Sequence, residues 1–235
     1  MIKKHRILGI IPARAGSKGV SDKNIRLLAG KPLIHYTIQT ALLSDGLDRI
    51  VVSSDSERIL DFCKNFPGID IPFVRPTHLS GDTAPMIEVV QHAVHYYTSV
   101  GETFDYVCLL QPTSPFRNDR LIDKAIERLI EEKGDSLTTV RQVPSQYNPH
   151  WTFKMDDNLL SRSMSSKAII PRRQELPDAW YRDGKIYLTS IALVKQGTLL
   201  GGKMIGLVND HETSVNIDTW EDWNMAEKLL KNGII

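Results

Sequence analysis

Ile7-Leu8-Gly9-Ile10-Ile11-Pro12-Ala13-Arg14-Ala15-Gly16-Ser17-Lys18-Gly19-Val20-Ser21-Asp22-Lys23-Asn24 is the stretch on which the reading of this chain turns. Its first part is a short apolar run of the kind that forms a buried strand. Its second part is a loop carrying Gly16 and Gly19, the cations Arg14, Lys18 and Lys23, and several hydrogen-bonding side chains. In an open α/β sheet such a loop, just past the carboxyl end of a strand, is where ligands bind. Outward from it, strand-like runs at 7–12, 49–54, 71–74 and 105–110 alternate with helix-like segments at 31–44, 56–66, 84–98 and 118–132. That alternation is a βαβ rhythm, so the expected class is α/β, a mostly parallel sheet with helices on both faces.

Local signals refine the element ends. Ser54-Asp55-Ser56-Glu57 has the S-x-x-E form of a capping box, and Pro32 sits where a first-turn proline is tolerated. From about 140 to 190 the pattern changes: Pro144, Pro149, Trp151, Pro171, Pro177, Trp180 and Tyr181 interrupt short strand-like pieces around the basic pair Arg172-Arg173. This reads as an excursion from the sheet, and divides the chain into an α/β unit of 1–139 with 190–235 and an insertion of 140–189, together one compact body. A last short strand at 214–217 is expected to lead into a helix capped by Thr219 with Asp222 three residues on.

The 235 residues, 41% hydrophobic and 24% charged, are enough for one large core and argue against disorder. No apolar run approaches the roughly 18 residues of a membrane span, and the basic start Met1-Ile2-Lys3-Lys4 is not followed by a secretory segment. With only Cys63 and Cys108, both in apolar settings, a disulfide framework is not expected and a cytoplasmic location is. A net charge of +1 gives no electrostatic footprint for nucleic acid, so phosphate chemistry must rest on local basic clusters.

The loop after the first strand is the main such cluster. Glycines allow backbone N–H groups close to a phosphate, Ser17 can donate to one, and Arg14, Lys18 and Lys23 can neutralise a triphosphate. The loop reads as a triphosphate cradle, or on composition alone as a solvated basic turn. It matches neither G-x-x-x-x-G-K-[ST] nor G-x-G-x-x-G, which removes the main support for P-loop and dinucleotide-binding readings. Gln111 ends a strand beside a proline-rich turn, a position suited to orienting a hydroxyl. Asn216 and Asp218, two apart in an expected strand, share a face and can offer oxygen ligands to one metal, for which magnesium is suited; Asp218 also reads as helix-start chemistry beside Thr219. His92 and His95 lie in an ordinary amphipathic pattern.

The sequence Ala13-Arg14 through Gly16-Ser17-Lys18-Gly19 to Lys23-Asn24 resembles the signature of the CMP-sialic acid synthetase family, and four further segments resemble that family in order. They are Arg75-Pro76 with Leu79 and Asp82-Thr83-Ala84; Leu109 to Arg117; Arg173-Gln174-Glu175-Leu176-Pro177 with Gly184 to Tyr187; and Asn216 to Thr219. The resemblance implies a Rossmann-like nucleotidyltransferase sheet and transfer of CMP from CTP to a nonulosonic acid, with Mg²⁺. It implies that Arg14, Lys23, Asn24 and Arg75 hold the nucleotide with Ala84 near the base, that Arg14, Lys23 and Asp218 are catalytic, and that Gln111, Arg173, Asp183 and Tyr187 meet the sugar. It also implies a homodimer in which the excursion embraces the neighbouring subunit. Asn216 stands where the family usually has aspartate. Asp183 and Lys185 replace the asparagine and alanine of N-G-A-I-Y, Met86 falls where a hydroxyl is common, and Trp151 resembles the legionaminate and pseudaminate members. These departures favour a bacterial nonulosonate other than plain N-acetylneuraminate. The competing readings are a cytidylyltransferase for the eight-carbon acid Kdo, a transferase using sugar 1-phosphates, and an inactive nucleotide-binding protein.

Overall fold

The computed structural model describes residues 5–118, 120–164, 169–210 and 214–233; the basic start at 1–4 lies outside them. In chain order these residues form β1 (Ile7–Pro12), the small hairpin β2 (Leu27–Leu28) and β3 (Lys31–Pro32), α1 (Leu33–Leu42), β4 (Arg49–Ser53), α2 (Glu57–Cys63), α3 (Met86–Ser99), β5 (Tyr106–Leu109) and α4 (Leu121–Glu131). Next come β6 (Ser136–Gln142), the hairpin β7 (Phe153–Asp156) and β8 (Leu159–Arg162), β9 (Trp180–Ser190), α5 (Ile191–Lys195), β10 (Met204–Val208) and α6 (Trp220–Lys231). Six strands make the central sheet in the order β10-β6-β9-β5-β1-β4. All its pairings are parallel except those of β9, which runs antiparallel between β5 and β6.

The sequence of β1 explains its central place. All six residues are buried, and their side chains alternate between two apolar layers as strand geometry requires. Ile7 and Ile11 pack with Ile34 and Ile38 of α1 and Ile122 and Leu129 of α4. Leu8 and Ile10 face the other way, onto Val90 and Ala93 of α3. A strand covered on both sides reads as a continuous apolar run, and each such side chain contributes about 1.5–3 kcal/mol through burial. A third cluster joins Val20, Leu28 and Leu33 to Phe116, Ile217 and Trp223 of α6, bringing the two ends of the chain together beside the carboxyl end of β1. Burial also pushes the Cys63 and Cys108 thiols up to about 12, so neither is a ready nucleophile.

Several element expectations change. Residues 71–74 are not a strand: only Asp70 bridges to Val51, and Pro72, which has no N–H, ends the pairing. The chain then turns so that the Arg75 N–H donates to the Ser54 carbonyl at 2.7 Å. Residues 214–217 are likewise outside any strand, tied down by the Ile217 N–H donating to the Thr113 carbonyl at 2.7 Å. Helix α2 is capped by Ser56, whose hydroxyl accepts from the Ile59 N–H, while Ser54 accepts from the Ser56 N–H. The cap therefore lies two residues later than the S-x-x-E pattern suggested, because Ser54 is buried at the end of β4. Pro32 is the N-cap of α1 rather than a residue of its first turn. The sheet also gains β6 and β10, which the sequence reading had not marked, and β9, which lies within the span read as excursion; the chain leaves the sheet after Gln142 and rejoins it at Trp180.

One buried guanidinium fastens the site-bearing edge of this fold. Arg117 donates to the Lys185 carbonyl on β9 at 2.9 Å, to Thr37 Oγ1 on α1 at 3.0 Å and to the Gln111 carbonyl at 2.7 Å. An Arg117→Ala change strands three acceptors, two of them buried, so it is expected to cost about 3 kcal/mol of unfolding free energy in a denaturant titration.

Candidate active site

The Pro12–Asn24 loop crosses the carboxyl edge of the sheet and walls a cavity of about 460 Å³. Arg14, Lys18, Lys23 and Arg75 supply cations to its wall, with Ser17, Asn24, Met86, Gln111 and Asp218 beside them. Each is held by a separate part of the fold. Lys23 is buried, and its ammonium donates to the Ile217 carbonyl at 2.6 Å and to Asp218 Oδ1 at 3.0 Å, across 194 and 195 residues of sequence. Gly19 fits only because it lacks a side chain: a Cβ there would stand 1.9 Å from the Asp218 carbonyl oxygen. Asn24 acts on the loop itself, its amide donating to the Arg14 carbonyl at 3.0 Å.

Arg75 is buried against the end of β4, donating to Ser53 Oγ at 3.0 Å and to the Ser53 carbonyl. Burial pushes its guanidinium down to about 10, still a cation at neutral pH. Arg14 Nη2 lies 2.6 Å and Lys18 Nζ 2.5 Å from opposite oxygens of the Asp82 carboxylate. Four cations against the two carboxylates Asp82 and Asp218 leave the cavity positive, an arrangement suited to a polyphosphate.

A second cavity of about 420 Å³, lined by Arg141, Tyr181, Arg182, Tyr187, Ser214 and Asn216 among others, shares Gln111 with the first. Gln111 thus stands where a group in one chamber meets a group in the other. Tyr187 is half-buried beneath Arg182, whose guanidinium carbon lies 6.0 Å from the ring centre. Asp183 also borders this chamber, but it is buried and already accepts from Thr139 Oγ1 at 2.5 Å, Asn209 Nδ2 at 2.9 Å and the Lys185 N–H at 3.0 Å. Its inward turn comes from a break in register between β6 and β9 at Thr138 and Val140, with Gly184 at a φ of 80°.

Other expected residues lie apart from these chambers. Arg173 is exposed in the excursion, lining a separate cavity with Gln142 and Pro177. Trp151 packs within the excursion, its indole N–H donating to the Ile170 carbonyl at 2.7 Å. Ala84 follows the Asp82 turn, its N–H donating to the Gly81 carbonyl at 3.2 Å, and lines neither chamber. Asn216 and Asp218 do meet: the Asn216 amide nitrogen lies 2.5 Å from Asp218 Oδ2, and Ser114 Oγ lies 3.3 Å from Asn216 Oδ1. Among the described residues no three His, Cys, Asp or Glu gather as a metal cage. The Asp218 carboxylate is exposed but faces Lys23 Nζ and the Asn216 amide nitrogen, while the Asn216 oxygen faces Ser114. By residue type the two side chains offer oxygen ligands that fit a hard cation keeping waters and phosphate oxygens as its other ligands, and magnesium is such an ion.

Three supporting roles are not legible in the sequence. Asp55 Oδ1 accepts the Ala15 N–H at 2.8 Å and roots the loop, Ser53 seats Arg75, and Asp82 binds two of the loop's cations. The polar run Ser53-Ser54-Asp55 just past a strand was the available signal. Asp222, expected as a helix cap, does more: its carboxylate accepts from the N–H groups of Thr219 and Asp218 at 2.8 and 3.0 Å, holding the backbone of Asp218. Burial pushes the Asp222 pKa up, but these hydrogen bonds, that from the Thr219 hydroxyl and the field of Lys23 outweigh it and leave the pKa lowered.

Residues 8–214 match the cytidylyltransferase family. The chain is 36% identical over 230 residues to the CMP-N,N'-diacetyllegionaminic acid synthase of Legionella pneumophila, covering 96% of this chain and 97% of that one. It is 33% identical over 225 residues to the pseudaminic acid cytidylyltransferase of Campylobacter jejuni, covering 95% and 96%. In fold it is similar to a CMP:2-keto-3-deoxy-manno-octonic acid synthetase solved with CTP, with a TM-score of 0.71, 17% identity and coverage of 97% and 99%.

The lowered Asp222 pKa fixes the sign of a pH effect. A carboxyl depressed in the folded state stabilises above its unfolded pKa, and that contribution is lost as pH falls through the folded value. Asp222→Asn is expected to lower Tm by about 3 °C at neutral pH, a cap's worth of stability. The gap to the parent should close below about pH 4, which paired melting curves against pH would measure.

Proposed function

As the chain belongs to the cytidylyltransferase family, we propose that it transfers CMP from CTP to the anomeric hydroxyl of a nonulosonic acid and releases pyrophosphate. The observation that carries this reading is the pair of chambers meeting at Gln111, one lined with cations and one with aromatic and polar groups. CTP lies with its phosphates along Arg14, Ser17, Lys18 and Lys23, with Arg75 beside them and Asn24 keeping the loop in shape. Met86, which lines the first chamber, comes nearest the base, with Ala84 two residues before it on the same segment. The sugar occupies the second chamber, its hydroxyl oriented by Gln111 and its ring against Tyr187. The hydroxyl oxygen forms a bond to the α-phosphorus, the bond from that phosphorus to the bridging oxygen breaks, and the hydroxyl proton passes to solvent. Arg14 and Lys23 oppose the charge that develops, and the remaining gain comes from holding the two substrates in line. Asp218, with Asn216 beside it, would hold Mg²⁺, which supplies further neutralisation of phosphate charge when bound.

The acceptor we favour is a nonulosonate of the legionaminate or pseudaminate type, in line with the departures at Asp183, Lys185 and Met86 and with the names of the similar proteins. Asp183 acts by shaping the β9 turn, since its oxygens are already engaged. Arg173 reaches a sugar carboxylate only in a neighbouring subunit. A cytoplasmic homodimer joined through the excursion accommodates this, and exposed Met155, Leu159, Leu160, Trp180 and Tyr181 support it.

Pyrophosphate release from CTP and Mg²⁺ with legionaminate, pseudaminate, N-acetylneuraminate and Kdo tests the reaction. Release is expected with a nine-carbon acid and at least a hundredfold less from Asp218→Ala, by analogy with the removal of a charge-stabilising group. Silence across the panel from folded protein would sink the reading. Light scattering of the purified chain is expected to give twice the monomer mass, and Leu159→Asp with Leu160→Asp to return it to the monomer value.

A further inference from the structure

Asp82 belongs to a segment singled out by resemblance, yet the transfer just described gives it no task. Its position is unusual for a wall residue of a phosphate cradle, because it presents a negative charge to the two cations that ought to meet the ligand. Oδ1 lies 2.6 Å from Arg14 Nη2 and Oδ2 lies 2.5 Å from Lys18 Nζ. The contact bridges two segments 68 residues apart in sequence. Lys18 is 80% exposed, so the carboxylate holds a side chain that would otherwise range through solvent. The hydrogen bonds from Lys18 and Arg14 in turn hold the Asp82 carboxyl below the usual range, and it is ionised at neutral pH.

A carboxylate gripping two cations with separate oxygens has the charge and spacing of one phosphate edge. We propose that Asp82 is an internal competing ligand of the cradle, occupying Arg14 and Lys18 until a polyphosphate displaces it and returning to them as pyrophosphate departs. The inference rests on the transfer reading for its biological meaning, but its physical content is a statement about polyphosphate affinity. Two properties make displacement feasible. The ion pairs are solvent-exposed, so each is weak and quickly exchanged. Asp82 also follows Gly81, at which an added Cβ would meet nothing within 4 Å, leaving room for the turn to shift. With Asp82 gone, the cradle would bind CTP more tightly but would release pyrophosphate more slowly.

Binding of inorganic pyrophosphate, followed by calorimetry on the full chain without CTP or sugar, tests this directly. Asp82→Asn, matched to the parent in melting temperature, is expected to bind pyrophosphate several-fold more tightly, up to about tenfold for two exposed pairs. A change in background charge alone would do something similar, so a cycle with Lys18→Ala separates the two. If Asp82 competes for Lys18, removing Lys18 weakens pyrophosphate binding more in the Asp82→Asn background than in the parent. If Asp82 only repels at a distance, the two changes add. Additivity, unchanged or weaker binding by Asp82→Asn, or no pyrophosphate binding by either protein overturns the proposal. The assay is independent of the sugar panel: silence there with a non-additive cycle here rejects the transfer reading and keeps this one, and the reverse result rejects only this one.

Discussion

The site depends on a crossing of the chain's two ends, where Lys23 and Gly19 of the first loop meet Ile217 and Asp218. The lysine's ammonium is taken out of water there, which costs several kcal/mol unless its protons find partners. A backbone carbonyl and one carboxylate oxygen provide them, and the bare α-carbon of Gly19 lets the backbones come close enough. Much else hangs on this contact. It fixes the height of the loop above β1, sets Asp218 at the cavity mouth, and couples both to α6 through the Asp222 carboxylate. The apolar cluster of Val20, Leu28, Ile217 and Trp223 closes beneath it and excludes water from the pairing.

Around this crossing the fold handles a concentration of like charge in two ways. Buried cations are satisfied chiefly by backbone oxygens: Arg75 by Ser53, Lys23 by Ile217 with Asp218 as its second partner, Arg117 by Gln111 and Lys185. Carbonyl partners leave the net positive charge in place, so the cavity keeps its attraction for a polyanion. The half-buried Arg14 and the exposed Lys18 are balanced by a carboxylate instead, and an ion pair open to solvent can be exchanged for another at little cost. Rigid cations held mainly by neutral oxygens and outer cations with a replaceable anion make a cavity that is formed in advance and still open to its ligand.

The second chamber is shaped by β9, the one strand that runs against the rest of the sheet. Its start lies at the same edge as the carboxyl ends of the other strands, so Tyr181, Arg182 and Tyr187 arrive beside Gln111 from the opposite chain direction. The irregular register opposite Thr138 and Val140 turns Asp183 into the sheet and leaves Arg182 outside. Arg117 then binds the same turn to α1 and to the Gln111 carbonyl, so the partition between the chambers is held from three sides.

The order of residues alone was enough to set the class of the fold, the cluster of cations past the first strand and the family. Those depend on local signals: an apolar run long enough for a doubly covered strand, glycines and cations clustered just past it, helix caps such as Thr219 with Asp222, and motifs in a fixed order. The remaining features were settled by packing in three dimensions. The strand expected at 71–74 failed because Pro72 cannot extend a ladder, and the helix cap moved to Ser56 because Ser54 was needed at the buried end of β4. The resemblance set Asp183 at the sugar, but a break in register that no sequence pattern marks turned it into the sheet. The ion pair of Asp82 and the loop anchor of Asp55 join segments tens of residues apart, so neither partner could be named until the sheet had brought them to one edge.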